Sequence, residues 1–296
     1  MEPDWIPAPT LAGRRRSSRP FVIAAPDYTE MHGGVVALHR LCDRLNALGH
    51  EAFVVPLGSA EGITRTGWRT PLWDRGTLDD AVLVYPEIVT GNPLLGRRIV
   101  RWLLHRPSWF TGEGMSEGPD DLVVTFDTQI APEWPVLRVP LVDPTVFFPK
   151  DAVGHGRLLW IGKGVLPVDF DRSGTRLITA SWPDSRAGLA ALLRSATVLY
   201  SCDWLTSLID EALMCGTPVV LVGDQEWRRD EVVMRPGMTW AGEGEEAIDR
   251  ATVAASAFYP RYLASLPDYD RTVEDFVQLV AEHFSEGTEP TGTEAT

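Results

Sequence analysis

The chain has 296 residues, 44% of them hydrophobic and 23% charged. That is the mix of a folded globular protein, long enough for two domains at roughly 100–200 residues each, and it excludes a disordered, collagen-like or disulfide-scaffold chain. The formal charge is −14, and four acids without a base from Glu282 onward leave −14 + 4 = −10 on the rest. Such a surface is unsuited to general nucleic-acid binding, which needs phosphate neutralisation.

Residues 1–18 are rich in Pro and Arg without periodicity and read as a flexible arm. The apolar run after Arg14-Arg15-Arg16 lasts five residues, Phe21 to Ala25, too short for a signal-peptide core and far short of a membrane span. It reads as a strand buried on both faces. His32-Gly33-Gly34 follows, then a helix from about Val35 to Leu48 with an apolar stripe, closed by Gly49. Glu51 to Leu57 is the next strand, completing a β-loop-α-β unit.

Ala81 to Tyr85 predicts a further buried strand. Leu94 to His105 predicts a helix ended by Pro107, with Arg97, Arg98 and Arg101 on one solvated side. Leu122 to Phe126 and Val136 to Val142 predict two more strands. Pro140, Pro144 and Pro149 mark a crossing, after which the pattern restarts with a strand at Arg157 to Ile161 and the loop Gly162-Lys163-Gly164. Strands then follow at Arg176–Thr179, Val198–Tyr200 and Pro218–Val222, and helices at Arg186–Ser195, Leu205–Cys215, Glu245–Ser256 and Thr272–His283. The tail 285–296 is Gly, Thr, Glu and Pro and reads as disordered and acidic. Two successive βα series predict an α/β protein of two Rossmann-like lobes, parallel sheets facing a central cleft. Their bounds are 19–146 and 147–258, followed by a helical segment 259–284.

Cys42, Cys202 and Cys215 have no metal-type spacing and read as buried thiols of a reducing, cytoplasmic compartment. Only Lys150 and Lys163 are lysines, against 25 arginines. Lys163, between two glycines at a strand end, is a candidate anion contact or simply a solvated side chain. Thr206 and Ser207 open a helix whose free N–H groups and dipole suit a phosphate, although both also fit plain capping. Gly33 and Gly34 let a backbone approach a ligand closely, and His32 beside them can be an ordinary loop residue. Glu87, Asn92 and Asp127 stand near strand ends and face the expected cleft; Asn92-Pro93-Leu94 also fits a helix start. The dinucleotide fingerprint Gly-x-Gly-x-x-Gly is absent, and no carboxylate set has metal-ligand spacing.

The stretch from Ser201 to Val220 resembles the nucleotide-sugar signature of retaining GT-B-fold glycosyltransferases, the glycosyl transferases group 1 type. That signature is Glu, seven residues, Glu, then Ala-Met-Ala-x-Gly-x-Pro-Val-Val. Here Glu211 stands for the second Glu, Ala212-Leu213-Met214-Cys215-Gly216-Thr217-Pro218-Val219-Val220 for the tail, and Asp203 for the first Glu. The resemblance implies sugar transfer from a nucleotide-diphosphate sugar, UDP- or GDP-linked, with retention and without a metal or other cofactor. It implies Glu211 on the ribose, amides near Thr206 and Ser207 on the diphosphate, Lys163 against the leaving group and Asp203 near the sugar. Gly33, Gly34 and Glu87 would then belong to the acceptor-side lobe. Small-molecule, lipid, protein and modified-DNA acceptors all stay open. A nucleotide-sugar epimerase and a non-catalytic sugar-nucleotide or glycan binder are the alternatives. The second lobe has few residues between Gly164 and Arg176, where that family carries a helix and a strand.

Overall fold

The computed structural model describes residues 5, 6, 9, 16–58, 60–110, 112, 114–149, 154–223 and 232–285. Of the expected flexible arm 1–18, residues 5, 6, 9 and 16–18 are described, and there Ile6 is buried, Trp5 packs on the second-lobe core under Arg40, and the Ser17 N–H donates to His50 Nδ1. Of the acidic tail 285–296 only Ser285 is described, and Lys150 lies outside the described residues.

The first lobe is a parallel sheet of β1 (Phe21–Ala25), β2 (Ala52–Pro56), β3 (Val82–Pro86), β4 (Arg98–Leu103) and β5 (Leu122–Thr125), in the order β2-β1-β3-β4-β5. The helix α1 (Gly33–Ala47) joins β1 to β2. The second lobe is a parallel sheet of β6 (Arg157–Trp160), β7 (Thr175–Ile178), β8 (Val198–Ser201), β9 (Val219–Leu221) and β10 (Met238–Trp240), in the order β10-β9-β8-β6-β7. The helices α2 (Arg186–Ser195), α3 (Ser207–Met214) and α4 (Glu245–Ser256) connect or cover these strands. Within each lobe the strand order is therefore the same, and each has one point where successive connections leave in opposite directions: between β1 and β3, and between β6 and β8. Ligand crevices form at the carboxyl ends of strands at such points. This is the two-lobed α/β architecture of the GT-B class.

A single long helix, α5 (Phe258–His283), ties the lobes together. Its Tyr262 and Leu266 enter the core of the second lobe, while Val273, Phe276, Val277 and Val280 enter that of the first. Tyr262 Oη donates to the Val142 carbonyl at 2.9 Å and accepts from the Val142 N–H at 3.1 Å. On α1, Arg44 meets both carboxylate oxygens of Asp270 at 2.7–2.9 Å. The sequence pattern marks only the last twelve of the 26 residues of α5, because Pro260 and Pro267 interrupt the reading upstream. Pro260 stands in the first turn, where no intrahelical N–H is needed.

Three expectations change. Residues 94–105 are no helix: β4 occupies Arg98–Leu103, with Ile99 to Leu103 all buried. The β-branched and aromatic residues Ile99, Val100 and Trp102 favour a strand. A turn with Leu95 at φ 57° precedes it, and the site of a Cβ on Gly96 is 2.8 Å from Leu83. Arg101 is accordingly not solvated: its side chain is 3% exposed, pairs with Asp121 at 2.8 Å and donates to the carbonyls of Val89 and Gly91. Residues 136–142 do not form a strand. Val136 makes one bridge to Thr125, and the segment leaves the sheet after the Leu137 N–H bond to Thr125, since Pro140 offers no donor. The short strand β10 has no run of apolar residues to announce it.

Candidate active site

Both crevices hold residues singled out by the sequence. In the first lobe β1 leads to α1, whose N-cap His32 is exposed and makes no side-chain cap bond. The first N–H groups of α1, at Gly33 and Gly34, are thus left without a capping side chain. In the second lobe β6 leads to Gly162-Lys163-Gly164, and β8 leads to Asp203 and then α3. Here the glycines are required. A Cβ on Gly164 would lie 1.7 Å from the Cys202 carbonyl oxygen, and Gly162 has φ 54° with no room beside Trp160 and Asp203. The Lys163 loop therefore lies directly on the β8 turn.

Asp203 is the organiser of that turn. Its side chain is 3% exposed, and Oδ2 receives the Lys163 ammonium at 2.9 Å and the Lys163 N–H at 3.2 Å. Oδ1 accepts the Leu205 N–H at 3.1 Å, and the Asp203 backbone is bonded to the Ser201 hydroxyl. With both oxygens engaged, Asp203 fixes the Lys163 ammonium in place. Thr206 is the N-cap of α3, its hydroxyl accepting from the Leu208 N–H at 3.4 Å.

Gly33, Ser207 and Glu211 converge. They line one narrow pocket between the lobes, with Glu30, Val36, Leu141 and Arg186. The site of a Cβ on Gly33 lies 3.3 Å from Ser207 Oγ, so the N-termini of α1 and α3 meet head to head across the cleft. Two sets of helix-end N–H groups and two positive dipole ends point into the same space. Glu211 is 2% exposed and its Oε1 accepts from Arg186 Nη2 at 2.7 Å. Arg186 also lies 4.6 Å over the Phe147 ring. Gly34 is next to this junction, with only Leu104 near its missing Cβ, at 3.8 Å.

Glu87 follows β3 and reaches over to β4, accepting the Leu104 N–H at 2.9 Å. Burial raises its pKa above the usual carboxylate range, against the pull of the backbone donors around it. Asn92 and Asp127 are both tied into local contacts. The Asn92 amide closes its own turn through Gly96 and accepts from Tyr85 Oη. Asp127 pairs with Arg138 and accepts from the Gln129 N–H.

Sequence reasoning missed three groups. Arg186 opens α2 and showed only as a helix residue. Arg106 and Trp204 meet across the lobes, the guanidinium 4.8 Å over the ring, while Leu205 packs among Leu103, Val123, Ile130 and Ala131 of the first lobe. His105, just past β4, was hidden inside the expected helix. It is 7% exposed, with Trp109 and Phe110 stacked against it at 5.5 and 5.1 Å, and neither ring nitrogen has a well-formed hydrogen bond.

Burial first, and then the positive charge of Lys163, lower the His105 pKa to about 4 from an ordinary 6.5. Between those values the unfolded chain binds more protons than the folded one. Stability present above pH 6.5 is therefore lost as the pH falls towards 4, by at most about 3 kcal/mol. Melting curves at pH 7 and pH 4.5 test this. The loss on acidification should shrink by about 2 kcal/mol in His105→Asn; parallel pH profiles for the two proteins would contradict it.

Among the described residues no three His, Cys, Asp or Glu side chains converge as a metal-ligand set. Among them, too, no helix is long and apolar enough to cross a membrane. No protein-family model and no curated protein matches the chain. Several solved structures are similar to it. Spinosyn forosaminyltransferase SpnP is 16% identical, with 89% of this chain and 100% of that one covered, at a TM-score of 0.40. The glycosyltransferase SnogD from Streptomyces nogalater is 16% identical over 90% and 100%, at 0.42. An α-glucosyltransferase solved with UDP and a 13-mer DNA containing an HMU base is 14% identical over 90% and 96%, at 0.44.

Proposed function

We propose that this chain is a glycosyltransferase that moves a sugar from a UDP- or GDP-linked donor to an acceptor with retention of configuration, without a metal. The observation that carries the reading is the meeting of the α1 and α3 N-termini over a pocket that also holds a buried Glu211. A nucleoside diphosphate has the parts this pocket asks for. Its phosphates take the helix-end N–H groups, the Thr206 and Ser207 hydroxyls and the Arg186 guanidinium. Its ribose hydroxyls donate to the Glu211 oxygen that Arg186 leaves open. As it stands the pocket holds little more than a water molecule. The donor therefore enters with the lobes parted, and closure brings Gly33 and Gly34 onto the phosphates.

In the transfer step the bond between C1 of the sugar and the diphosphate oxygen breaks. The acceptor oxygen bonds to C1 on the same face, and its proton passes to the departing phosphate. Lys163, held by Asp203, neutralises the charge growing on that phosphate. Glu87, on the first lobe, belongs to the acceptor side.

Product analysis with a labelled donor, in the presence of chelator and an acceptor panel, tests the assignment. The expected result is a glycosylated acceptor with the donor's anomeric configuration. Release of an epimerised sugar nucleotide, or donor binding without any turnover, would replace it with one of the alternatives.

A further inference from the structure

On the donor reading, on which this inference rests, the lobes part and close around each donor. The turn from β8 to α3 is where that motion meets the Lys163 loop. Asp203 Oδ1 accepts the N–H of Leu205, two residues on, at 3.1 Å, while Oδ2 takes the Lys163 ammonium at 2.9 Å. A carboxylate closing a turn on its own backbone in this way is a local device, and its orientation follows the backbone it is bonded to.

The Leu205 side chain leaves its own lobe. It packs in an apolar socket of the first lobe, with Leu103 of β4, Val123 of β5, and Ile130 and Ala131 beyond β5. Trp204 beside it stays against the core of the second lobe and carries the first-lobe Arg106 over its ring at 4.8 Å. One residue before Ile130, Gln129 Oε1 accepts the second-lobe Val233 N–H at 2.8 Å, a further bond across the same side of the cleft.

The lobes cannot part here without drawing Leu205 out of that socket into water, which apolar burial opposes. The N–H of the same residue is the one that Asp203 Oδ1 holds. A seated leucine therefore keeps its own N–H still, that N–H orients Asp203, and Asp203 orients the ammonium. A withdrawn leucine has lost the packing that fixes the first link.

We propose that Leu205 is a positioning residue that couples closure of the lobes to the seating of Lys163. Inserted in the first lobe, it fixes the Asp203 carboxylate and with it the ammonium. Withdrawn, it releases both, so the charge that meets the leaving phosphate is set in place by closure itself.

The chain has two lysines, so carbon-13 at lysine Cε gives two side-chain signals, and Lys163→Arg assigns them. Transverse relaxation of the Lys163 signal is measured in the full native chain, Leu205→Ala, Leu205→Met and Ile130→Ala, with melting curves of each. Asp203→Asn supplies the value of a released ammonium. The native signal should relax as an immobilised group. Leu205→Ala should lose that immobilisation and fall to the Asp203→Asn value. Ile130→Ala, which trims the socket from the other lobe, should do the same. Leu205→Met should keep most of it, because a flexible side chain of similar volume refills the socket. Leu205→Val is the milder trim that replaces Leu205→Ala if the melting curve shows that variant unfolded. An immobile Lys163 in folded Leu205→Ala would overturn the coupling. So would a loss in Leu205→Ala that Ile130→Ala does not share, which would make Leu205 a local part of the turn. UDP is then added to every sample, and in the native chain it should shift the Lys163 signal. Release of Lys163 in both alanine variants, with no response of the native chain to UDP, would support the coupling and overturn the donor reading instead.

Discussion

On the proposed reaction, Lys163→Ala should lower the turnover number by about 10²–10³, the scale on which one preorganised charge or donor acts on a transition state. The side chain has a long flexible stem, yet here it is held at both ends of its residue. Its ammonium is 2.9 Å from Asp203 Oδ2, its N–H reaches the same oxygen, and the flanking glycines let the loop lie on the β8 turn where any side chain would clash. A cation fixed in advance binds the developing diphosphate charge more strongly than the bound donor. The loss should therefore fall on kcat, with donor KM changing much less. Lys163→Arg should recover only part, because a planar fork cannot put its charge where the compact ammonium sits between Asp203 and the cleft. Lys150→Ala is the matched control, a lysine lost elsewhere in the chain. Steady-state kinetics on all three variants decide the matter, and equal losses in the two alanine variants would refute the role.

Asp270→Ala destabilises the protein by about 3–5 kcal/mol, because it takes a bidentate partner from a guanidinium that is 1% exposed. At this chain length that is a fall of about 10 °C or more in melting temperature. The pair joins α1 of the first lobe to the middle of α5, so its loss loosens the strap that spans both lobes. The double variant Arg44→Met/Asp270→Leu should regain most of the stability, since two apolar groups of similar shape need no desolvation. Thermal melts of the three variants give the comparison. An Asp270→Ala cost under about 1 kcal/mol would show that the pair is screened by solvent.

The two-lobed plan was legible because parallel strands buried on both faces leave unbroken apolar runs, as at Phe21–Ala25 and Val82–Tyr85. The β8-α3-β9 unit was legible for a different reason: a helix cap, a buried carboxylate, a glycine stop and a Val-Val strand follow at fixed spacing. What failed was reading periodicity where a charged residue is buried. Arg101 marked a solvated helix face in the sequence, yet in β4 it is satisfied by Asp121 and two carbonyls that lie 10–20 residues away. His105 vanished with the same error. Arg186 could have been found from Glu211, since a carboxylate at 2% exposure calls for a cation or donor beside it. Where that cation would come from is a matter of tertiary contact between α2 and α3, which spacing along the chain does not encode.

The most direct measurement is calorimetric titration of UDP and GDP into the native chain and into Glu211→Ala, both in chelator. One of these diphosphates should bind the native protein, and Glu211→Ala should weaken it by about 1.5–3 kcal/mol, the worth of hydrogen bonds to a charged acceptor. Alanine keeps α3 helical, but Arg186 loses its buried partner, so a melting curve of Glu211→Ala accompanies the titration and must show a folded protein. Affinity unchanged by the substitution, or no nucleoside diphosphate binding at all without a divalent cation, would contradict a donor site built from two facing helix ends and Glu211.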